Sequence, residues 1–358
     1  MRFPALGVAP VLRRLAIACA FLVASAVVYI FPAAAQSVTE KGRGITPTFS
    51  DIAYAPAAPA ASTGHLPDLY VPKTARNGKA APIVIWTGGS GWRGEQGKDT
   101  AGEIAERLVP VGLAVAGVSI RSSDHVQFPG QLHDIKAAIR WLRANANRYR
   151  LDPDHIGIMG GSSGGWTAAI AATTGDVPEL EGNIGTTGVS SAVQVAIAFY
   201  PPTDFLIMDR GMPYSCAPMA LAKDPKRFCH DPPSSPESLL IGCPIQTCQE
   251  KARAADPSSY VSDEDPPIMI FHGEADQAVP HNQGEHLFQV LLGRCARATF
   301  ISLPLAGHDR LENFLMLDET RAGATIRISS PECTAALPQL YRPDWNTVID
   351  FLRRNLSQ

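Results

Sequence analysis

The sequence has almost no net charge and no concentration of basic residues beyond its N-terminus. Its 358 residues contain 31 Lys and Arg against 34 Asp and Glu, which gives a formal net charge of -3. Proteins that bind nucleic acid usually carry a basic patch or a basic helix. We therefore expect a globular protein without a nucleic-acid partner.

Long apolar runs are missing after the first 35 residues, so we expect no membrane span in the rest of the chain. At the N-terminus, basic residues precede an apolar run at residues 15–30, and Ala33-Ala34-Ala35 follows it. This order is typical of a signal peptide over residues 1–35, with residues 36–358 as the mature domain. A retained membrane anchor is the alternative. The pattern favours removal of the peptide and a periplasmic or secreted protein.

The sequence also lacks Cys-x-x-Cys pairs and cysteine–histidine arrays, so we expect no zinc or other metal site. Cys19 lies in the predicted signal peptide, and six cysteines remain. An even number of cysteines in an exported chain predicts three disulfides, and pairing between sequence neighbours is our expectation. The six are Cys216, Cys229, Cys243, Cys248, Cys295 and Cys333.

What the sequence does contain is an alternation of apolar runs and amphipathic segments. Continuous apolar runs at residues 83–86 and 113–120 predict strands buried on both faces. Residues 129–148 have the periodicity of a long amphipathic helix. The alternation predicts an α/β fold with a mostly parallel sheet and helices on both faces. Further strands are expected at residues 49–54, 66–72, 155–159, 193–200, 267–272 and 298–303, and further helices at 99–109, 165–172, 286–292 and 347–356.

Residues 205–262 interrupt this alternation and hold four of the six cysteines together with many prolines. We interpret them as an insertion over the carboxyl edge of the sheet, where substrates of such folds bind. Residues 310–340 are interpreted as a second, smaller excursion.

A Gly-x-Ser-x-Gly motif, Gly160 to Gly164, lies between a predicted strand and a predicted helix. This context is that of a nucleophile elbow, in which the serine occupies a sharp turn that leaves no room for side chains two residues away. The frame centred on Ser163 also fits. We favour Ser162 because its frame begins where the apolar run ends, and the motif then predicts a serine hydrolase.

A serine nucleophile needs a base and an orienting acid, which elbow-type enzymes carry in the chain order Ser, acid, His. Asp276 and His308 each follow a predicted strand in that order. Glu274 is the alternative acid in the same loop, and an Asx-turn is the alternative role for Asp276. His272 lies at a strand end and is expected to be a buried structural residue.

A glycine-rich loop after the strand at residues 83–86 is the candidate oxyanion loop. We expect one backbone donor from Gly89 or Ser90 and a second from Ser163. Trp92 and Trp166 would flank such a site and line an acyl or aromatic pocket, although core packing fits either residue equally well.

These motifs resemble the α/β-hydrolase superfamily, and within it the secreted esterases of the hormone-sensitive-lipase and feruloyl/acetyl-xylan-esterase-like group. Residues 141–165, residues 266–280 and Gly307-His308 carry the resemblance. It implies Ser162 and His308 with Asp276 as a catalytic triad, no cofactor and a small ester substrate. Two departures are Gly88, where relatives usually have a histidine, and Ser163, where they often have alanine.

The expected function is a serine carboxylesterase for short-chain or aromatic acyl esters, acting through an acyl-enzyme. Two alternatives remain open from the sequence. One is an amide hydrolase, such as a formamidase or a peptidase-like enzyme, on the same triad. The other is a catalytically silent α/β-hydrolase that serves as a binding module.

Overall fold

The structure is a computed structural model that describes residues 44–73, 79–224, 227–330 and 332–356. The signal peptide predicted over residues 1–35 lies outside the described residues. Among the described residues, no helix has both the length and the apolar character needed to cross a membrane.

The described residues form one nine-stranded sheet with the order β1-β3-β2-β4-β5-β6-β7-β8-β9. The six strands from β3 to β7 in this order are parallel, whereas β1, β8 and β9 pair antiparallel at the two edges. The prediction of a mostly parallel sheet is confirmed. The strands are β1 (Pro67–Tyr70), β2 (Ala81–Thr87), β3 (Ala114–Val118), β4 (Leu151–Gly161), β5 (Val195–Phe199), β6 (Ile268–Gly273), β7 (Ala298–Leu303), β8 (Thr325–Ile328) and β9 (Gln339–Leu340).

Helices cover both faces of this sheet. Alternate strand residues point to opposite faces, so Ile83 and Ile85 of β2 enter one core layer, and Val84 and Trp86 enter the other. The α-helices are α1 (Ala101–Leu108), α2 (Gly130–Tyr149), α3 (Ser163–Thr173), α4 (Met208–Gly211), α5 (Pro218–Lys223), α6 (Pro236–Ile241), α7 (Gln249–Ala254), α8 (Asn282–Gly293), α9 (Leu311–Met316), α10 (Asp318–Arg321) and α11 (Trp345–Asn355). Side chains of α2, α3 and α8 fill the first layer, and those of α1 and α11 fill the second.

Two sequence-based expectations differ from the structure. Residues 49–54 form no strand, and only Phe49 makes an isolated bridge, to Leu69. The extended chain is interrupted at Asp51, whose φ of 52° lies in the left-handed region. Residues 310–340, interpreted as an excursion, contain the edge strands β8 and β9, whose partly exposed residues lack the apolar run of a central strand.

The insertion between β5 and β6 consists of short helices, α4 to α7, joined by turns. Leu240 and Ile245 of this segment are fully buried in the first core layer, with Trp166 of α3. The insertion is therefore packed onto the core beside α3, at the end of the sheet where the candidate site lies.

The six cysteines pair as sequence neighbours, with sequence separations of 13, 5 and 38 residues. Two of the disulfides lie within the insertion, and the third joins the end of α8 to the turn after β8. The pairs are Cys216–Cys229, Cys243–Cys248 and Cys295–Cys333.

Candidate active site

The candidate site lies where the strand order reverses. The chain passes from β2 to β3 on one side of β2 and then to β4 on the other side, with Thr87 of β2 opposite Gly160 of β4. In open α/β sheets, a crevice forms at such a switch point, outside the carboxyl ends of the strands. The loops that follow β2 and β4 therefore meet, and they are the predicted oxyanion loop and the predicted elbow.

The elbow is a sharp turn centred on Ser162, whose φ and ψ are 58° and -127°. A Cβ on Gly160 would lie 2.3 Å from the carbonyl oxygen of Gly164, and one on Gly164 would lie 2.0 Å from that of Thr87. Both distances are far below van der Waals contact, so only glycine fits at either position. Strained backbone of this kind is concentrated at functional sites, and the geometry favours the frame centred on Ser162 over that on Ser163.

The three side chains of the predicted triad form one continuous hydrogen-bonded chain. His308 Nε2 lies 3.0 Å from Ser162 Oγ, and His308 Nδ1 lies 2.8 Å from Asp276 Oδ2. Ser162 follows β4, Asp276 follows β6 and His308 follows β7, and all three strands end at the same edge of the sheet. The fold thus brings His308 to Ser162 across 146 residues of sequence and to Asp276 across 32. In this arrangement, His308 can accept the Ser162 proton while Asp276 orients its ring.

Asp276 is buried and fully engaged. Its Oδ1 accepts the backbone N–H groups of Ala278 and Val279 at 2.8 and 2.9 Å. Burial alone would raise the pKa of Asp276, but the charge and the hydrogen bond of His308 outweigh it and lower the pKa below its usual value. The carboxylate therefore stays ionised beside the imidazole, and the Asx-turn and the predicted acid role coexist in one residue.

Glu274 and His272, at the start of this loop, have hydrogen-bond partners other than Ser162 and His308. Glu274, the alternative acid, accepts a hydrogen bond from Ser302 Oγ at 2.6 Å. His272 is fully buried, its Nε2 lies 2.9 Å from the carbonyl oxygen of Val279, and burial lowers its pKa to about 4. A neutral His272 can donate its Nε2–H to that carbonyl, which agrees with the expected structural role.

The oxyanion loop passes directly beside the nucleophile. A Cβ on Gly89 would lie 2.5 Å from Ser162 Cβ and 3.3 Å from Ser162 Oγ. Ser163 is the first residue of α3, so its N–H has no acceptor within the helix and lies at the positive end of the helix dipole. The N–H groups of Gly89 and Ser163 are therefore the candidate donors for an oxyanion.

Ser90, the other predicted loop donor, is used differently. Its backbone N–H donates to Ser163 Oγ at 2.9 Å. Because that N–H already has an acceptor, the structure favours Gly89 over Ser90 as the loop donor, and the role of either residue remains a prediction.

Glu95 anchors the oxyanion loop, and the sequence-based reasoning did not identify it. Its carboxylate accepts hydrogen bonds from two other segments of the chain. The donors are Ser62 Oγ at 3.0 Å, Thr63 N–H at 2.6 Å, Gly64 N–H at 2.9 Å, Ser122 N–H at 3.1 Å and His125 Nδ1 at 2.7 Å. An acidic residue within a glycine-rich loop was the available signal in the sequence.

The two tryptophans predicted to line a substrate pocket are core residues. Trp166 is fully buried, Trp92 is 2% exposed, and their rings meet edge to face at 5.3 Å. Trp166 Nε1 donates to the carbonyl oxygen of Ala255 in the insertion at 2.7 Å. Because almost none of their surface is exposed, the structure favours core packing, the alternative role expected for Trp92 and Trp166, over a substrate-binding role.

Tyr200 is a further neighbour of the site that had no predicted role. Its ring lies edge-on to that of His308, with 4.7 Å between centroids, and it also packs on Phe314. Its φ of 38° is in the left-handed region, which is unusual for a tyrosine. Tyr200 thus supports the imidazole from the end of β5.

A separate group of potential metal ligands lies at the base of the insertion. Asp204, Asp256 and His286 each place a ligand atom within 4.8 Å of the others. Asp256 Oδ1 already accepts the N–H of Ser258 at 2.8 Å. None of the three predicted catalytic side chains belongs to this group.

A mostly parallel sheet wrapped by helices, with a serine elbow after a central strand and the histidine after a later one, defines an α/β-hydrolase. Within this class, the BD-FAE family model matches residues 67–291. The chain belongs to the BD-FAE family.

Named relatives and solved structures agree with this membership. Esterase LipQ of Mycobacterium tuberculosis is 30% identical over 72% of this chain and 56% of its own length, and esterase LipC of the same species is 26% identical over 69% and 56%. The chain thus spans about half the length of these curated relatives. A truncated carbohydrate esterase from gut microbiota is 32% identical, with a TM-score of 0.64 over 74% of this chain and 91% of that one. Esterase 2 of Thermogutta terrifontis, 22% identical with a TM-score of 0.56 over 76% of this chain and 88% of that one, shares the fold.

Proposed function

We propose that this protein is a serine carboxylesterase that acts through an acyl-enzyme. The observation that carries the proposal is the hydrogen-bonded chain from Ser162 Oγ through His308 to the buried Asp276 carboxylate. The esterases among its relatives support the same activity. The intact elbow and the complete set of side chains argue against a silent binding module.

In the first half-reaction, His308 Nε2 accepts the hydroxyl proton of Ser162 while Oγ attacks the ester carbonyl carbon. The resulting oxyanion accepts hydrogen bonds from the N–H groups of Gly89 and Ser163. Asp276 holds the imidazole in the required tautomer and stabilises the imidazolium. The carbon–oxygen bond to the alcohol then breaks, and His308 returns the proton to the departing oxygen.

In the second half-reaction, water replaces the alcohol. His308 takes a proton from water as the water oxygen attacks the acyl carbon, and the second tetrahedral intermediate uses the same two donors. Collapse of this intermediate breaks the bond to Ser162 Oγ, and His308 returns the proton to the serine. The products are a carboxylic acid, an alcohol and the free enzyme.

For the substrate, we propose short-chain or aromatic acyl esters of a polar alcohol such as a carbohydrate. Gly89 and Ser90 are exposed residues, and the His308 side chain is 27% exposed, so the described site opens to solvent. Such a site suits a hydrated alcohol group better than a long lipid chain. The carbohydrate esterase at 32% identity supports this choice, and export by the predicted signal peptide would suit an extracellular polymer.

Hydrolysis of p-nitrophenyl esters from acetate to laurate, together with methyl ferulate and acetylated xylan, tests the proposal. We expect turnover of the shorter or aromatic esters by the wild type and a loss of at least about 10³-fold in Ser162→Ala. Turnover that persists in Ser162→Ala would move the nucleophile to Ser163. A folded wild type that hydrolyses amides but no ester would favour the amide-hydrolase alternative.

A further inference from the structure

The side chain of Ser163 has a partner that the mechanism above does not require. Ser163 follows the proposed nucleophile and is 4% exposed. Its Oγ accepts the backbone N–H of Ser90 at 2.9 Å, across 73 residues of sequence. Among the described residues, this is the only hydrogen bond between residues 88–92 of the oxyanion loop and residues 160–165 of the elbow.

The remaining hydrogen bonds of the loop shape it without fixing it to the nucleophile. Gly88 N–H donates to the carbonyl oxygen of Gly97 at 2.7 Å, and Ser90 Oγ donates to that of Gly94 at 3.0 Å. Glu95 ties the far end of the loop to segments that do not carry the elbow. Trp92, at the end of the loop, packs on Trp166 of α3. At Gly89 and Ser90 themselves, the contact that Ser163 makes is the hydrogen bond that sets the distance between the loop donor and the helix donor.

We propose that the Ser163 hydroxyl is a positioning group that clamps the oxyanion loop against the nucleophile elbow. By holding the Ser90 amide, it keeps the adjacent Gly89 N–H aimed at the same point as the Ser163 N–H. Donors that are held in place before the substrate arrives cost no reorganisation during the reaction. This inference rests on the proposed esterase function.

In this proposal, the backbone and the side chain of Ser163 have different roles, and the Ser90 N–H does not donate to the oxyanion. The Ser163 backbone donates to the oxyanion, while its side chain holds the loop. Replacing Ser163 by alanine keeps the backbone donor and removes only the clamp. The expected defect therefore lies in transition-state stabilisation, which lowers kcat and leaves KM nearly unchanged.

Three substitutions at Ser163 test the clamp, with Ser191→Ala as a matched control. Ser191 is also buried and donates to Glu181, at the opposite end of the sheet.

Ser163→Thr and Ser163→Val place side chains of nearly the same shape at this position, but only threonine keeps an acceptor oxygen. We expect Ser163→Ala to lower kcat about tenfold with KM within about twofold, as for a small misplacement of catalytic groups. We expect Ser163→Thr to exceed Ser163→Val by about fivefold in kcat, as a retained hydrogen bond would give.

All kinetics are measured well below the thermal midpoint of each variant, beside wild type and Ser162→Ala. Equal kcat in the threonine and valine variants would overturn the clamp, and this comparison remains available if Ser163→Ala does not fold. A Ser163→Ala variant as fast as wild type, or faster, would also overturn it, and a faster one would show that the hydroxyl withholds the Ser90 N–H from the oxyanion. A loss of kcat as large in Ser191→Ala would assign the effect to stability instead. An inactive wild type would overturn the esterase function and the clamp together, whereas an active wild type isolates the result for the clamp.

Discussion

At the scale of single residues, Asp276 shows how one side chain serves structure and proposed chemistry together. One carboxylate oxygen closes its own loop by accepting two backbone N–H groups, and the other faces His308. The loop bonds fix the carboxylate, so its position relative to the imidazole does not depend on substrate. A buried acid that is held by its own loop in this way orients a base at little further entropic cost.

Replacing Asp276 by asparagine should lower kcat by about 10³–10⁴-fold, because an amide cannot hold the imidazole in the same tautomer or stabilise its cation. Steady-state hydrolysis of p-nitrophenyl acetate measures the change. Glu274→Gln is the matched control, since Glu274 lies in the same loop but contacts Ser302. Its kcat should stay within about threefold of wild type. A large loss in Glu274→Gln together with an active Asp276→Asn would exchange the two roles.

At the scale of elements, a buried hydrogen bond and apolar packing join the insertion to the helix behind the elbow. Trp166 belongs to α3, directly behind the elbow, and its indole N–H reaches the carbonyl oxygen of Ala255 after α7. Helix α3, which begins directly after the nucleophile, and the insertion therefore share one core. In this arrangement, Trp166 links the stability of the insertion to that of the site.

Trp166→Phe should reduce the free energy of unfolding by about 1–2 kcal/mol more than Trp92→Phe. Both changes shrink an indole in the same edge-to-face pair, but only Trp166 loses a hydrogen bond, which leaves a buried carbonyl without its donor. Trp92 Nε1 is buried and has no hydrogen-bond partner among the described residues, so its removal frees no acceptor. Urea denaturation of both variants checks the difference. A changed acyl-chain preference in a Trp166→Phe variant of wild-type stability would instead return Trp166 to a substrate pocket.

At the scale of the whole molecule, the disulfide Cys295–Cys333 encloses the segment that carries the proposed base. His308 lies within this 38-residue separation, together with β7, β8 and two short helices. The bond fastens the edge of the sheet, where β8 and β9 are short and partly exposed. Closing a long loop restricts the unfolded chain more than closing a short one.

The double variant Cys295→Ser/Cys333→Ser should lose about 3–4 kcal/mol of unfolding free energy, and Cys243→Ser/Cys248→Ser about 2 kcal/mol, because the second pair encloses only a separation of 5 residues. Both variants should keep wild-type kcat below their thermal midpoints. Thermal and urea denaturation measure the order. A Cys243→Ser variant that is folded and heat-stable but inactive would show that this pair contributes to the chemistry and not only to stability.

The sequence by itself determined the features that depend on local pattern and chain order. Apolar runs and helical periodicity predicted the central strands and long helices, because a buried strand and an amphipathic helix each impose their own spacing. The Gly-x-Ser-x-Gly motif and the order of Ser162, Asp276 and His308 predicted which residues would meet, since parallel strands end at one sheet edge. Their catalytic roles remain predictions.

Only the tertiary structure decided how groups distant in sequence share their contacts. The hydrogen bond that occupies the Ser90 amide, the hydrogen bonds from five residues to Glu95 and the support of His308 by Tyr200 all join separate segments. No local pattern encodes such pairings. Whether an aromatic residue such as Trp166 lines a pocket or fills the core likewise depends on what packs over it, here the insertion. The physical reason is that propensity and periodicity act between near neighbours, whereas burial and hydrogen-bond partnership are properties of the folded chain.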